Sequence, residues 1–171
     1  DHLLQINSYR NTTTFDALQT PGIAPFLDPN PAPGSINRYE EEHPAILYNG
    51  VPYSQTAQSW SRFNVTGASD NQYIRAATAN DTISFDFSGS WLNLGFFADL
   101  FGGYAEIFID GQSQGVIDLY RLEGTAVSHF FGNLTNASHT VSVTVQGSGN
   151  PFSSGSRIQL DFIEFGDGTG L

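Results

Sequence analysis

From Ile36 onward, apolar and polar residues alternate in short runs, and the runs break at Gly, Pro, Asn or Asp. In "DTISFDFSG" the alternation puts Ile83, Phe85 and Phe87 on one face. In "YAEIFIDGQSQGVIDLY" it puts Ala105, Ile107 and Ile109 on one side and Tyr104, Glu106, Phe108 and Asp110 on the other. Asp110-Gly111 interrupts that run with two residues that tolerate positive φ, which predicts a two-residue hairpin. "SWLNLGFFADLFGG" reads as a buried strand leading into a Gly-rich loop, and "SHTVSVTVQG" and "SRIQLDFIEFG" as further strands. Pro44 in "RYEEEHPAILYNG" confines the opening strand to an edge or a break, because proline cannot donate to a sheet ladder. No apolar period of 3.6 residues persists beyond two turns. The pattern predicts an all-β domain over residues 36–171, a sandwich of two antiparallel sheets.

Residues 1–35 differ. "TPGIAPFLDPNPAPGSIN" holds five of the eight prolines and reads as an extended strap or linker. The segment before it carries Leu3, Leu4, Ile6, Phe15 and Leu18, so it is expected to pack on the main body or to complete a neighbouring domain.

Charge narrows the list of partners. Six Lys plus Arg stand against 17 Asp plus Glu in 171 residues, a formal charge of −11. A basic footprint for phosphates is missing, which argues against nucleic acid and against anionic membrane surfaces. Charged residues make up only 13% of the chain, while Gly (18) and Phe (14) are abundant, as suits strands and turns. Without cysteine there is no disulfide framework, zinc–thiolate site or thiol nucleophile. No apolar run is long enough for membrane insertion. A chain that begins with Asp and lacks Met is expected to be a mature or excised fragment. Five Asn-X-Ser/Thr sequons, at Asn11, Asn64, Asn80, Asn133 and Asn136, lean towards a secreted or cell-surface glycoprotein.

Three stretches taken in order, "YEEEHPAILYNG", "GGYAEIFIDGQSQGVIDLY" and "NASHTVSVTVQG" followed by "SRIQLDFIEF", resemble the galactose-binding-like jelly rolls found as carbohydrate-binding modules in secreted proteins. The resemblance covers roughly residues 36 to 166, with Trp60 at the place of an aromatic that follows the opening acidic strand. Ser138 departs from the pattern where a Gly usually precedes the His, and the first 35 residues have no counterpart. The resemblance implies a jelly-roll sandwich that binds a glycan or polysaccharide. It also implies a structural calcium, held by Glu40 or Glu42 of the first strand and Asp161 of the last. Calcium takes six to eight hard oxygen ligands, so carboxylates at these places suit it.

From the residues themselves, Trp60, Tyr73, Tyr104 and Tyr120, with Tyr53, are candidates for a flat aromatic platform under a sugar ring. Asp99, Asn71 and Arg75 are the candidate hydroxyl partners. Each aromatic has core packing as its competing role. The loop "FFADLFGGYAE" is expected either to carry a ligand site or to plug the end of the sandwich. Catalysis finds little support: His2, His43, His129 and His139 are scattered, and "GQSQG" lies in a hairpin rather than between strand and helix. The expected function is a non-catalytic carbohydrate-binding accessory module. A structural or adhesion module stands as the alternative, and a hydrolase on a sandwich scaffold ranks behind both.

Overall fold

The structure is a computed structural model that describes residues 36–55 and 59–168. The expected strap over residues 1–35 lies outside the described residues. Twelve strands follow in chain order: β1 (Ile36–Glu40), β2 (Leu47–Tyr48), β3 (Val51–Pro52), β4 (Ser61–Asn64), β5 (Gln72–Ala76), β6 (Thr82–Gly89), β7 (Trp91–Ala98), β8 (Tyr104–Ile109), β9 (Gln112–Asp118), β10 (Thr125–Phe131), β11 (Ala137–Val145) and β12 (Ile158–Gly166). Two single 3-10 turns, Tyr53–Gln55 and Ser69–Asn71, are the only helical pieces among the described residues.

The strands form two six-stranded sheets whose pairs are antiparallel throughout. One sheet runs β10-β7-β12-β5-β4, with β1 also paired to β12; the other runs β3-β2-β6-β11-β8-β9. Alternation explains the core between them. Leu92, Leu94, Phe96 and Ala98 of β7 and Ile158, Leu160, Ile163 and Phe165 of β12 face inward from the first sheet. Ile83, Phe85 and Phe87 of β6, Ala105, Ile107 and Ile109 of β8, and Val141, Val143 and Val145 of β11 face them. This is the predicted all-β sandwich, and the hydrophobic term that drives it is the burial of these faces.

The hairpin forms where its turn chemistry placed it. Ile109 pairs with Gln112 across Asp110-Gly111, with φ +52° and +73° at the two tip residues. Beside the glycine, Asp110 accepts hydrogen bonds from Thr140 N at 2.9 Å and from His139 Nδ1 at 2.6 Å. The tip is thereby fastened to β11.

β12 is irregular in one place. Leu160 pairs with Phe96 and Phe162 with Gly95, so Asp161 is an extra residue in a bulge. There β12 passes from β5, its neighbour at Leu160, to β1, whose Glu40 pairs with Phe162. A bulge re-aims the side chain it carries, and Asp161 is turned towards the end of β1.

Candidate functional site

Two places concentrate chemistry. The first is the junction of β1, β12 and the turn before β5. Glu40, Glu41 and Asp161 each offer a carboxylate oxygen, and these oxygens lie within 4.8 Å of one another. Glu41 and Asp161 are fully buried, 0% exposed. Among the described residues, Oε2 of Glu40, both oxygens of Glu41 and Oδ2 of Asp161 have no hydrogen-bond partner. Asp161 Oδ1 accepts from Ser69 N at 2.8 Å, and Arg38 Nε donates to Glu40 Oε1 at 2.8 Å. Burial, reinforced by the neighbouring carboxylates of Glu40, Glu42 and Asp161, pushes Glu41 up to about 7. Burial, together with Glu40 and Asp70, raises Asp161 to about 6 against the Ser69 N–H. Orphaned, buried, mutually repelling carboxylate oxygens are costly in a protein interior. They are also the donor set of a hard divalent cation, and the cluster fits such an ion.

Glu42 does not belong to this cluster, which corrects the expectation drawn for it. It is exposed and pairs with Arg62 Nη1 at 2.6 Å. Strand alternation holds only to Glu40; there His43 N bonds back to the Glu40 carbonyl at 2.9 Å and the chain turns. The turn swings Glu41 inward, where Tyr48 donates its hydroxyl to the Glu41 carbonyl at 2.7 Å. Pro44, just beyond, was the signal in the sequence that the strand stops.

The second place is an open groove of about 270 Å³ beside the edge strand β4, lined by Ser59, Ser61, Phe63, Arg75, Thr78 and Arg157 among others. Arg75 stacks on the ring of Phe63, 3.3 Å from its centroid, and Arg157 on that of Phe101 at 4.1 Å. Phe101 belongs to the loop 99–103, which is bound to the loop 146–157. Arg157 N donates to the Phe101 carbonyl at 2.9 Å, Ser154 N to that of Leu100 at 2.8 Å, and Ser153 Oγ to that of Gly102 at 2.8 Å. A Cβ on Gly102 would collide with the Leu119 carbonyl and one on Gly103 with the Ser156 backbone, so only glycine permits this close approach. The two loops present Phe101 and Phe152 to solvent, Phe152 at 80% exposure.

The expected platform residues are distributed differently. Trp60 is 4% exposed and packs on Tyr48, with ring centroids 4.9 Å apart, so it belongs to the core rather than to a platform. Tyr73 is 5% exposed and stacked between Phe63 and Phe97; it backs the groove without offering it a face. Asp99 and Tyr120 are half-buried and bridged backbone to backbone. Asp99 Oδ1 accepts from Phe101 N at 2.8 Å, which shapes the loop. Tyr104 is half-buried on β8, in the other sheet, opposite Asp118. The structure therefore does not gather these five around one opening. Of the secondary candidates, Arg75 lines the groove. Sequence reasoning reached Phe101 only through its loop, offered either as a ligand site or as a plug, and missed Arg157 and Phe152 as surface groups. The one signal for them was the apolar, Gly-rich character of the loops that carry them.

No protein-family model matches the sequence, and no curated protein aligns with it. Solved structures do match. A family 35 carbohydrate-binding module from Clostridium thermocellum is 20% identical with a TM-score of 0.51, over 75% of this chain and 97% of that one. The first module of family CBM36 from a multidomain xylanase of the Trinervitermes trinervoides hindgut metagenome is 14% identical with a TM-score of 0.51, over 80% of this chain and the whole of that module. The chain has the fold of the carbohydrate-binding jelly rolls. A Paenibacillus xanthan lyase contains the same sandwich, at 17% identity and a TM-score of 0.55, but 85% of this chain spans only 14% of the lyase. This jelly roll thus matches isolated modules end to end and large enzymes only in part.

Proposed function

We propose that the chain is a non-catalytic carbohydrate-binding module of a secreted or cell-surface protein, and that it grips a glycan at the loop end formed by residues 99–103 and 146–157 and the adjoining groove. The observation that carries this reading is the exposure of Phe101 and Phe152 on two mutually bonded loops, beside a groove of hydroxyls and arginines. Apolar ring faces pack against sugar C–H groups, and polar side chains at the rim take the hydroxyls. The end-to-end match to whole modules supports a binding role over a catalytic one. No helix among the described residues is long and apolar enough to cross a membrane.

Calcium belongs to the same reading. Glu40, Glu41 and Asp161 would hold it, tying the end of the first strand to the bulge of the last. Its chemistry there is charge neutralisation of buried carboxylates, and no step of recognition is routed through it.

Affinity gel electrophoresis against a panel of neutral and acidic polysaccharides tests the function. At least one polysaccharide should retard the protein, and Phe101→Ala with Phe152→Ala should weaken that retardation by about tenfold or more with an unchanged melting temperature. Migration unaffected by every polysaccharide in the panel would count decisively against the reading.

A further inference from the structure

Arg75 and Arg157 stand apart from the other arginines among the described residues. Arg38 and Arg62 pair with glutamates, and Arg121 donates to the carbonyls of Asp118 and Tyr120. Arg75 and Arg157 form no ion pair among the described residues, although they line one groove. A chain with 17 Asp plus Glu has acid to spare, yet none of the described carboxylates lies within ion-pairing distance of these two.

Each guanidinium sits over an aromatic ring, Arg75 over Phe63 and Arg157 over Phe101. Stacking engages the flat face of the group and leaves its edge of N–H donors for an acceptor. Burial, and then the charge of Arg157, disfavour the charged form of Arg75; the Tyr73 hydroxyl and the more distant Asp99 act in the opposite direction. Two like charges held together in a partly buried groove are expensive unless an anion joins them.

We propose that the Arg75–Arg157 groove binds an oxyanion, a carboxylate or a sulfate ester, carried on a sugar. The guanidinium forks take the oxyanion, and the hydroxyls of Ser59, Ser61 and Thr78 take groups on the sugar ring. This rests on the glycan-binding reading above and deepens it. With six Lys plus Arg against 17 Asp plus Glu, the attraction is local to this pair and takes one oxyanion at a time, unlike the extended basic footprint that a nucleic acid needs. The groove, at about 270 Å³, is at the small end of ligand sites, which suits one acidic residue in a chain.

The test measures binding of matched probes: polygalacturonate against its fully methyl-esterified form, and a sulfated galactan against its desulfated form. At least one acidic member should bind about tenfold or more tightly than its neutral partner. That margin should shrink as NaCl is raised. It should vanish in the double variant Arg75→Gln, Arg157→Gln while binding to the neutral partner persists. If the double variant does not fold, Ser61→Asp, at an exposed position of β4 on the groove, should abolish the acid preference by occupying the arginines. Preference within the first pair alone assigns a carboxylate, and within the second alone a sulfate. Equal binding of acidic and neutral partners, or a preference that survives the variants, overturns the proposal and leaves the glycan reading intact. Failure of every glycan to bind removes the glycan reading itself.

Discussion

Asp110 carries two tasks, and the second is visible only in three dimensions. Its tolerance of positive φ makes the hairpin tip, which its pairing with Gly111 announces in the sequence. Its carboxylate also holds the ring of His139, whose other nitrogen faces the Thr135 carbonyl at 2.7 Å. With an acceptor facing each nitrogen, the doubly protonated ring is the form that this setting favours. Burial alone would lower the His139 pKa, but the Asp110 and Thr135 hydrogen bonds outweigh it and hold it above 6.5. The hydrogen bond from His139, then that from Thr140, lowers Asp110. A raised histidine contributes stability that is complete below the unfolded value of about 6.5 and disappears as pH rises through the folded value. The lowered Asp110 contributes above its unfolded value of about 3.8 and loses that contribution as pH falls through the folded one. Asp110→Asn keeps the left-handed turn and removes the charge. It should lower the His139 pKa read from its imidazole proton shifts and flatten the stability loss above pH 6.5. A histidine titration unchanged by that substitution would contradict the assignment.

Among the elements, legibility follows locality. The β8–β9 hairpin was readable because its turn and its alternation lie within one short run of sequence, and the inward set Ala105, Ile107 and Ile109 is the buried one. The same contrast predicts unequal costs along the hairpin. Ile107→Ala, at a fully buried position, should cost about 2–5 kcal/mol in denaturant melts. Val116→Ala on β9, at 57% exposure, should stay within about 0.5 kcal/mol. Similar losses at both positions would mean the hairpin does not pack as described. By contrast, the carboxylate cluster and the groove are made by non-local events. Alternation extended past Glu40 selects Glu42, because nothing in a strict two-residue period reports that a turn has begun. Likewise Arg75 and Arg157 meet only because β5 pairs with β12, and their separation of 82 residues carries no periodic trace. Trp60 shows the remaining difficulty: an aromatic beside a strand start looks the same in sequence whether it faces sugar or core.

At the scale of the whole molecule, the carboxylate cluster joins the first described strand to the last, so its ionisation bears on the entire sandwich. In the ion-free protein, Glu41, raised to about 7, and Asp161, raised to about 6, bind protons more tightly folded than unfolded. The sign for a raised carboxylate is a loss of stability as pH climbs from the unfolded value towards the folded one, here from about pH 4 to about pH 7. A divalent cation reverses the situation, because it favours the ionised carboxylates that the interior otherwise penalises. Calcium at about 100 times its dissociation constant should add about 2.7 kcal/mol, a rise in melting temperature on the order of 10 °C for a domain of this size. The rise should be larger at pH 7.5 than at pH 5, where protons compete for the same oxygens. Asp161→Asn removes one buried charge without changing shape. It should therefore leave the ion-free protein no less stable near pH 7 while abolishing the calcium response. A calcium-induced rise of equal size in Asp161→Asn, or none in the parent protein at pH 7.5, would remove the cluster from the account of what holds the two ends of the sandwich together.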